Sequence, residues 1–264
     1  MTISTMLLIM IALFIILAVI GVPIGIAIGV AALVELVMQG TVPLLIVPQR
    51  MYTAVNSVTL MGIPFFMLAG LIMERSGITE RLIRFANALV GSLRGGMCYV
   101  SVLTGMLMGG ISGSAPADTS ALSSLMVPSM EKCGYKREFS AAIMASSGTL
   151  GIIIPPSMPM IVLGSITGIS VGKLFLGGII PGILFGISFM LVCFLIVTFK
   201  KLDETVKVAF SLPVLLKTFK SALLPMLAPI IIVGGILTGV FTPTESAIAA
   251  VAYTLFLGMA VYRT

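Results

Sequence analysis

The stretch GGISGSAPADTSAL, residues 109–122, is decisive for the fold because it places a carboxylate and several hydroxyls inside apolar sequence. A carboxylate near the centre of a bilayer costs about 2.5–3.5 kcal/mol on insertion scales, so it is usually paired, hydrated or bound to a cation. The glycines and Pro116 interrupt a regular helix, and irregular backbone at membrane depth is tolerated only inside protein or beside a water-filled cavity. The stretch therefore predicts an ion or substrate site inside a membrane protein.

The composition of the whole chain also indicates a membrane protein. Of its 264 residues, 59% are hydrophobic and 9% are charged, and several apolar runs reach the roughly 20 residues that cross a bilayer. The net charge of +6 comes from bases clustered between apolar segments, which indicates membrane topology and not nucleic-acid binding. The chain has no histidine, and its three cysteines lie far apart. We therefore expect a multi-pass protein in the lipid bilayer that is no enzyme and holds no transition metal.

The N-terminal third contains two or more membrane segments. Residues 6–38 are apolar except for a break at Gly21-Val22-Pro23, which predicts two short crossings joined by a tight turn, with one long tilted helix as the alternative. The start of the chain lacks a basic region followed by a cleavage site, so residues 6–20 are predicted to be a retained anchor. The Pro-flanked residues 43–56 are expected at the membrane interface, and residues 63–74 form the next crossing.

Residues 75–94 combine four arginines with apolar residues at helical spacing. This pattern is typical of an amphipathic helix that lies in the membrane plane. An ordinary cytoplasmic connector is the alternative.

Two basic clusters flank the opening motif, one ending at Arg94 and the other within residues 132–137. The apolar arms between them, residues 95–110 and 119–130, would make helices of about 24 Å and 18 Å, whereas the apolar core of a bilayer is about 30 Å thick. A hairpin that enters and leaves on one side places both clusters on the cytoplasmic side, as the positive-inside rule prefers. We therefore predict a re-entrant hairpin over residues 95–132.

Residues 139–168 are predicted to form a helix that is unwound in its middle, because the run PPSMP removes backbone donors and blocks helical pairing. Residues 174–199 read as one complete crossing. The lysine-rich segment of residues 200–224 is expected to form a cytoplasmic loop. Residues 225–241 and 247–262 are expected to form two further crossings. Glu245 is predicted to start the last helix.

The two breaks provide the parts of an ion site between discontinuous helices. The hairpin tip, residues 111–118, is expected near the bilayer midplane. Hydroxyl, carboxylate and carbonyl oxygens suit a small alkali cation. The predicted cation ligands are the side chains of Ser112, Ser114 and Asp118 and the backbone carbonyls of Gly151, Ile153 and Pro156. The alternative for Asp118 is that it only caps the second arm of the hairpin.

An anionic substrate would find no basic side chain in this region, because residues 95–131 and 139–172 contain neither Lys nor Arg. Hydroxyls, amides, helix ends or a co-bound cation would have to hold it. The predicted substrate contacts are Thr119, Ser147, Thr149 and Ser157.

At three motifs the chain resembles a known family. GGISGSAPADTSAL, then GYKREFSAAIMASSGTLGIIIPPSMPMIVLG (residues 134–164), then GVFTPTESAIAAVAY (residues 239–253) resemble the large membrane subunit of the tripartite ATP-independent periplasmic (TRAP) transporters. The resemblance implies a sodium-driven, elevator-type symporter of the bacterial inner membrane, with Na⁺ as the coupling ion and no cofactor. It also implies two partners, a small membrane subunit and a periplasmic substrate-binding protein that delivers an organic acid such as a C4-dicarboxylate, sialic acid or a similar carboxylate.

Carried over by position, the resemblance assigns the sodium site to Ser112, Ser114 and Asp118 and to the carbonyls around Gly151, Ile153 and Pro156. It makes residues 1–74 scaffold helices, 75–94 an arm helix, 95–173 part of the transport domain and 225–264 further scaffold. Family members are considerably longer and contain a second inverted repeat. We therefore expect this chain to be the first repeat, from a truncated chain or a split subunit, with half of the site absent.

Other classes of membrane protein fit the residues less well. Gly110-Ile111-Ser112-Gly113 matches the GxSG of intramembrane serine proteases, but that chemistry needs a base and the chain has no histidine. In the permease of an ATP-driven pump, residues 75–94 would be a coupling helix. A passive channel would not need two paired helix breaks.

Overall fold

The computed structural model describes residues 3–199 and 209–262, and these residues form helices and connections with no strand. The α-helices of this part of the chain are α1 (Ile3–Val19), α2 (Ile24–Gln39), α3 (Ile46–Val55), α4 (Gly62–Arg75), α5 (Ile78–Val90), α6 (Gly96–Ser112), α7 (Ala115–Lys132), α8 (Arg137–Gly148), α9 (Met158–Thr167), α10 (Val171–Phe199), α11 (Leu212–Leu237) and α12 (Pro243–Phe256). A 3₁₀ turn (Thr149–Ile152) follows α8, and a π-helix (Leu257–Tyr262) follows α12.

Among the residues that the structure describes, three helical segments are long and apolar enough to cross a membrane. They are α10, α11 and the continuous segment Pro243–Tyr262, while α1, α2, α6 and α9 are shorter apolar helices. Large apolar side chains on α10, such as Ile180 and Leu184, are exposed, as expected of surfaces that contact lipid. The predicted all-α membrane fold is confirmed.

Helices α1 to α3 form one compact unit that ends at Ser57, and α4 to α12 form a second. In the first unit, α1 ends at Val19 and α2 begins at Ile24. Gly21, with φ of +90°, makes the turn between them in a backbone region that L-residues rarely adopt. The alternative of one long helix over residues 6–38 is therefore wrong.

The amphipathic helix α5 is shorter than predicted, because Arg75 still belongs to α4 and Gly77 (φ +67°) separates the two helices. Its apolar face, which includes Leu82 and Phe85, is buried in the core of the second unit. α5 packs on both α6 and α11. Its apolar face is thus covered by protein, whereas the sequence alone suggested a membrane surface.

Helix α11 begins at Leu212, so residues 212–224, which the sequence assigned to a basic loop, are helical. The sequence interpretation took Pro225 as a helix start, but Pro225 and Pro229 lie inside the helix. Pro225 is buried against the rest of the unit, and such packing offsets the loss of a backbone donor. The loop lysines at positions 200, 201 and 207 lie outside the described residues.

The last helix begins at Pro243, four residues before the predicted start. Thr242 is its N-cap, and the two partners of a capping box are both present: the Glu245 amide donates to Thr242 Oγ1, and the Thr242 amide donates to Glu245 Oε2 at 2.7 Å. This reciprocal pair satisfies two amides that a helix start leaves unpaired. The predicted role of Glu245 at a helix start is confirmed.

Adjacent glycines on α10 provide a test of this packing. A Cβ at Gly178 would lie 2.6 Å from the carbonyl oxygen of Ile153, whereas a Cβ at Gly177 would meet nothing within 4 Å. We expect Gly178→Val to lower the free energy of unfolding by about 1–3 kcal/mol, because an overpacked side chain displaces its neighbours. The measurement is the thermal unfolding temperature in detergent, with Gly177→Val as the matched control. Equal effects of the two substitutions would contradict the packing of α10 on Ile153.

Candidate cation site at the hairpin tip

Helices α6 and α7 form the hairpin, and only Gly113 and Ser114 connect them. Gly113 has a φ of +64°, which reverses the chain, and Ser114 has the extended backbone of a helix N-cap. The turn is therefore two residues long, whereas the sequence suggested eight. Helices of 17 and 18 residues are about 26 Å and 27 Å long, still shorter than the apolar core of a bilayer.

Asp118 lies in the first turn of α7 and is only 2% exposed. Ser112 Oγ, at the end of α6, donates a hydrogen bond of 2.6 Å to Asp118 Oδ1 and accepts one of 3.1 Å from the Ser114 amide. Asp118 Oδ2 is buried and has no hydrogen-bond partner. The side chain of the N-cap residue Ser114 makes no capping hydrogen bond, and the hydrogen bond that the structure gives Asp118 comes from Ser112 and not from an amide at the start of α7. One oxygen of a buried carboxylate is left unsatisfied.

The segment opposite the hairpin is a broken helix. α8 ends at Gly148 and continues as the 3₁₀ turn, residues 153–157 are irregular, and α9 starts at Met158. The peptide bond between Pro155 and Pro156 is cis. The amide of Met158 donates to the carbonyl of Gly113 at 3.2 Å, which ties the start of α9 to the hairpin turn.

Glycines let α6 lie backbone to backbone on this broken helix. A Cβ would lie 2.8 Å from the Ser147 carbonyl oxygen if placed at Gly105, and 2.6 Å from the Gly151 Cα if placed at Gly109. At Gly113, it would lie 2.5 Å from the Pro156 carbonyl oxygen. These approaches are closer than real side chains allow, so only glycine fits at the three positions, which repeat every four residues through α6 and its C-cap. Small residues at this spacing permit close helix contacts in membranes.

The carboxylate faces the same break. A Cβ on Gly151 would lie 2.8 Å from Asp118 Oδ2, so the unpaired oxygen sits against the backbone of the 3₁₀ turn. Through these contacts the structure brings Ser112, Ser114, Asp118 and Gly151 together, and Pro156 joins them beside the hairpin turn. The carbonyl oxygen of Ile153, the sixth predicted ligand, is instead directed at Gly178 of α10.

Of the four hydroxyls predicted to contact substrate, three lie along the same broken helix and one, that of Thr119, lies on α7. Three of them donate to carbonyls of their own segment: Ser147 to Met144 at 3.1 Å, Thr149 to Ser146 at 2.7 Å and Ser157 to Ile152 at 2.7 Å. Each hydroxyl oxygen keeps lone pairs that can accept or coordinate. Ser147 and Ser157 are buried and Thr149 is exposed, while the half-buried Thr119 of α7 lies against Gly148.

A cavity of about 70 Å³ lies beside Asp118, between the hairpin and α4. Sequence reasoning missed the α4 side of this cavity. Met67, Gly70, Leu71 and Glu74 line it from α4, at the spacing of one helical face. That spacing in the sequence marks a face, but it carries no information about which helix the face meets.

The chain is similar to membrane transport proteins over most of its length. The family described as "Tripartite ATP-independent periplasmic transporter, DctM component" matches residues 11–264. The C4-dicarboxylate TRAP transporter large permease protein DctM of Pseudomonas aeruginosa is 43% identical over 81% of this chain and 50% of its own length. The sialic acid TRAP transporter large permease protein SiaM of Vibrio cholerae is 38% identical over 88% of this chain and 54% of its own.

A third relative carries a different substrate in its name. The 2,3-diketo-L-gulonate TRAP transporter large permease protein YiaN of Escherichia coli is 38% identical over 83% of this chain and 51% of its own length. The chain thus spans about half the length of the curated relatives it matches.

The unpaired oxygen of Asp118 leads to a prediction about the stability of the protein in buffer free of alkali cations. We expect Asp118→Ala to raise the free energy of unfolding by about 1–3 kcal/mol, because a buried carboxylate with one unsatisfied oxygen costs more than its single hydrogen bond returns. The measurement is thermal or denaturant unfolding in detergent.

Ser112→Ala is the matched control for this prediction. It removes the partner of Oδ1 and leaves both carboxylate oxygens unsatisfied, so we expect it to lower stability. If Asp118→Ala lowers stability as much as Ser112→Ala, the carboxylate is already satisfied within the protein.

Proposed function

The chain belongs to the DctM component family of the tripartite ATP-independent periplasmic transporters, and we propose that it forms part of the large permease of a sodium-coupled importer of an organic acid. The family predicted from the motifs is thereby confirmed. Its members are permease subunits of the bacterial inner membrane, so the chain is a membrane transport protein and no enzyme. Sodium coupling, the transport mechanism, the substrate and the partners are our proposals.

The unpaired, buried Oδ2 of Asp118 is the observation that supports sodium coupling most directly. No Lys or Arg occurs in residues 95–131 or 139–172, so these stretches offer the carboxylate no basic side chain. A small cation beside Oδ2 would neutralise the charge, and nearby hydroxyl and carbonyl oxygens suit the coordination of sodium. The proposed ligands are Ser112, Ser114 and Asp118, with backbone carbonyls at Gly151 and Pro156.

The contacts around the site support an elevator mechanism. The hairpin and the broken helix meet through glycine backbones at Gly109 and Gly113, so they are suited to move as one block. α4, on the other side of the cavity, packs along α12. In the proposed mechanism the block slides past α4 and α12, while α5, which packs on both α6 and α11, links the two groups of helices.

An organic acid is the substrate class that the relatives' names suggest, since they cover C4-dicarboxylates, sialic acid and 2,3-diketo-L-gulonate. In this chain, Thr119, Ser147, Thr149 and Ser157 are the proposed hydroxyl contacts, and the bound sodium would offset part of the substrate's charge. The proposed partners are a small membrane subunit and a periplasmic substrate-binding protein.

Uptake by proteoliposomes that contain the complete assembled transporter tests this proposal. With substrate-loaded binding protein outside, we expect uptake to require an inward sodium gradient. We expect Asp118→Asn to abolish uptake, because an amide cannot neutralise a bound cation. We also expect sodium at 100 times its dissociation constant to stabilise the wild-type protein by about 2.7 kcal/mol and to leave the Asp118→Asn variant unchanged.

Glu131→Gln, at the exposed far end of α7, is the matched control. It removes one carboxylate from the same helix without touching the site, so it should transport like the wild type. Wild-type uptake that is independent of sodium, or a full sodium response in Asp118→Asn, would refute the proposed function.

A further inference from the structure

Gly70, in the middle of α4, lies against the residue that orients the buried carboxylate. A Cβ at Gly70 would lie 2.9 Å from the Cβ of Ser112 and 3.5 Å from its Cα. Real side chains do not approach to the first of these distances, so α4 and the end of α6 can adopt this contact only with glycine at position 70. The contact forms one edge of the cavity beside Asp118.

Ser112 is in turn the only side chain that the structure pairs with Asp118 among the described residues. Its hydroxyl donates to Oδ1 at 2.6 Å and accepts from the Ser114 amide at 3.1 Å. A displacement of Ser112 therefore changes both the direction of the carboxylate and the backbone of the hairpin turn. Side chains that hold ligands in place often act on binding as strongly as the ligands themselves.

The residues around Gly70 on the same face of α4 are large. Leu71, the next residue along the chain, lines the cavity with it. Met67 and Glu74 also line the cavity, at three and four residues from Gly70, which is one helical turn. A slide of the hairpin by one turn along α4 would replace the glycine with one of these side chains. Gly70 thus leaves a gap on an otherwise bulky face of α4, and Ser112 occupies this gap at one position of the hairpin along α4.

We propose that Gly70 is a positioning residue of the cation site. It accommodates Ser112 at one position of the hairpin along α4. The Ser112 hydroxyl is thereby held where it orients Asp118. Cation affinity then depends on where the hairpin sits along α4. Cation binding is thereby coupled to the position of the hairpin. This inference rests on the proposed function, because it concerns the same sodium site.

The test is the sodium concentration for half-maximal uptake in proteoliposomes with the complete assembled transporter. We expect Gly70→Ala to raise this concentration about three- to tenfold, the scale of one typical hydrogen bond that is lost or misdirected. Gly62→Ala, on the same helix, is the matched control, because its Cβ would make ordinary contacts at 3.6 Å and longer. It should leave the sodium dependence unchanged.

A double-mutant cycle separates positioning through Ser112 from a general effect on structure. If Gly70 acts through the Ser112 hydroxyl, Gly70→Ala should add little to the effect of Ser112→Ala, so the double variant should resemble Ser112→Ala alone. Effects that multiply, or a half-maximal concentration for Gly70→Ala within twofold of the wild type, would overturn the inference.

A failure of Gly70→Ala to fold also decides the question. The double variant Gly70→Ala with Ser112→Gly removes the Cβ that the new methyl group meets, so it should fold again. If it does not, the contact with Ser112 is not what Gly70 accommodates, and the inference is wrong.

The outcomes for the two proposals are distinct. Sodium-dependent uptake that is lost in Asp118→Asn but unaffected by Gly70→Ala would overturn only the role of Gly70. Wild-type uptake without sodium dependence would refute the proposed function and this inference with it.

Discussion

Close contact between two backbones is the constraint on which the site depends. Gly109 of α6 and Gly151 of the 3₁₀ turn approach so closely that a Cβ at position 109 would lie 2.6 Å from the Gly151 Cα. Because the helices touch through their backbones, the end of α6 and the irregular residues 153–157 lie side by side, and their polar groups face protein instead of lipid. Irregular backbone at membrane depth is stable only under that condition. Any side chain at Gly109 would separate the two breaks and open the site.

The same closeness explains why Asp118 is buried with one oxygen unpaired. The carboxylate lies between Ser112 and Gly151, where one hydroxyl donates to Oδ1 and Oδ2 lies against the backbone of the 3₁₀ turn without a hydrogen-bond partner. A second hydrogen-bond donor, directed at Oδ2, would make the cation-free protein more stable. It would also compete with a cation for this oxygen. Sites of this kind commonly combine lower stability with function. In the proposed function, the unsatisfied oxygen is part of a binding site and not a defect of packing.

Local features of this site could be read from the sequence, whereas contacts between distant segments could not. Glycine and proline mark the breaks at Gly113 and Pro155-Pro156 because their effect on the backbone is local. Ser112 and Asp118 were likewise predicted as ligands of one cation because both lie at the hairpin tip. The start of α11 was misplaced because Pro225 reads as a helix start unless its burial against the rest of the unit is known. The contact of Gly70 with Ser112 joins residues 42 positions apart and leaves no periodic signal. The same holds for the direction of the Ile153 carbonyl towards α10.

The proposed elevator also has a physical reason to move only when it is loaded. An empty site carries an uncompensated charge whenever Asp118 is ionised, and the face of α4 that it would pass presents the apolar side chains of Met67 and Leu71 together with the acid Glu74. Moving a bare carboxylate past apolar groups costs several kcal/mol, whereas a carboxylate neutralised by a bound cation does not carry that cost. A substrate anion without sodium would add a second negative charge and make the movement less favourable still. Charge compensation at one buried oxygen is therefore sufficient, in this mechanism, to couple movement of the substrate to movement of the ion.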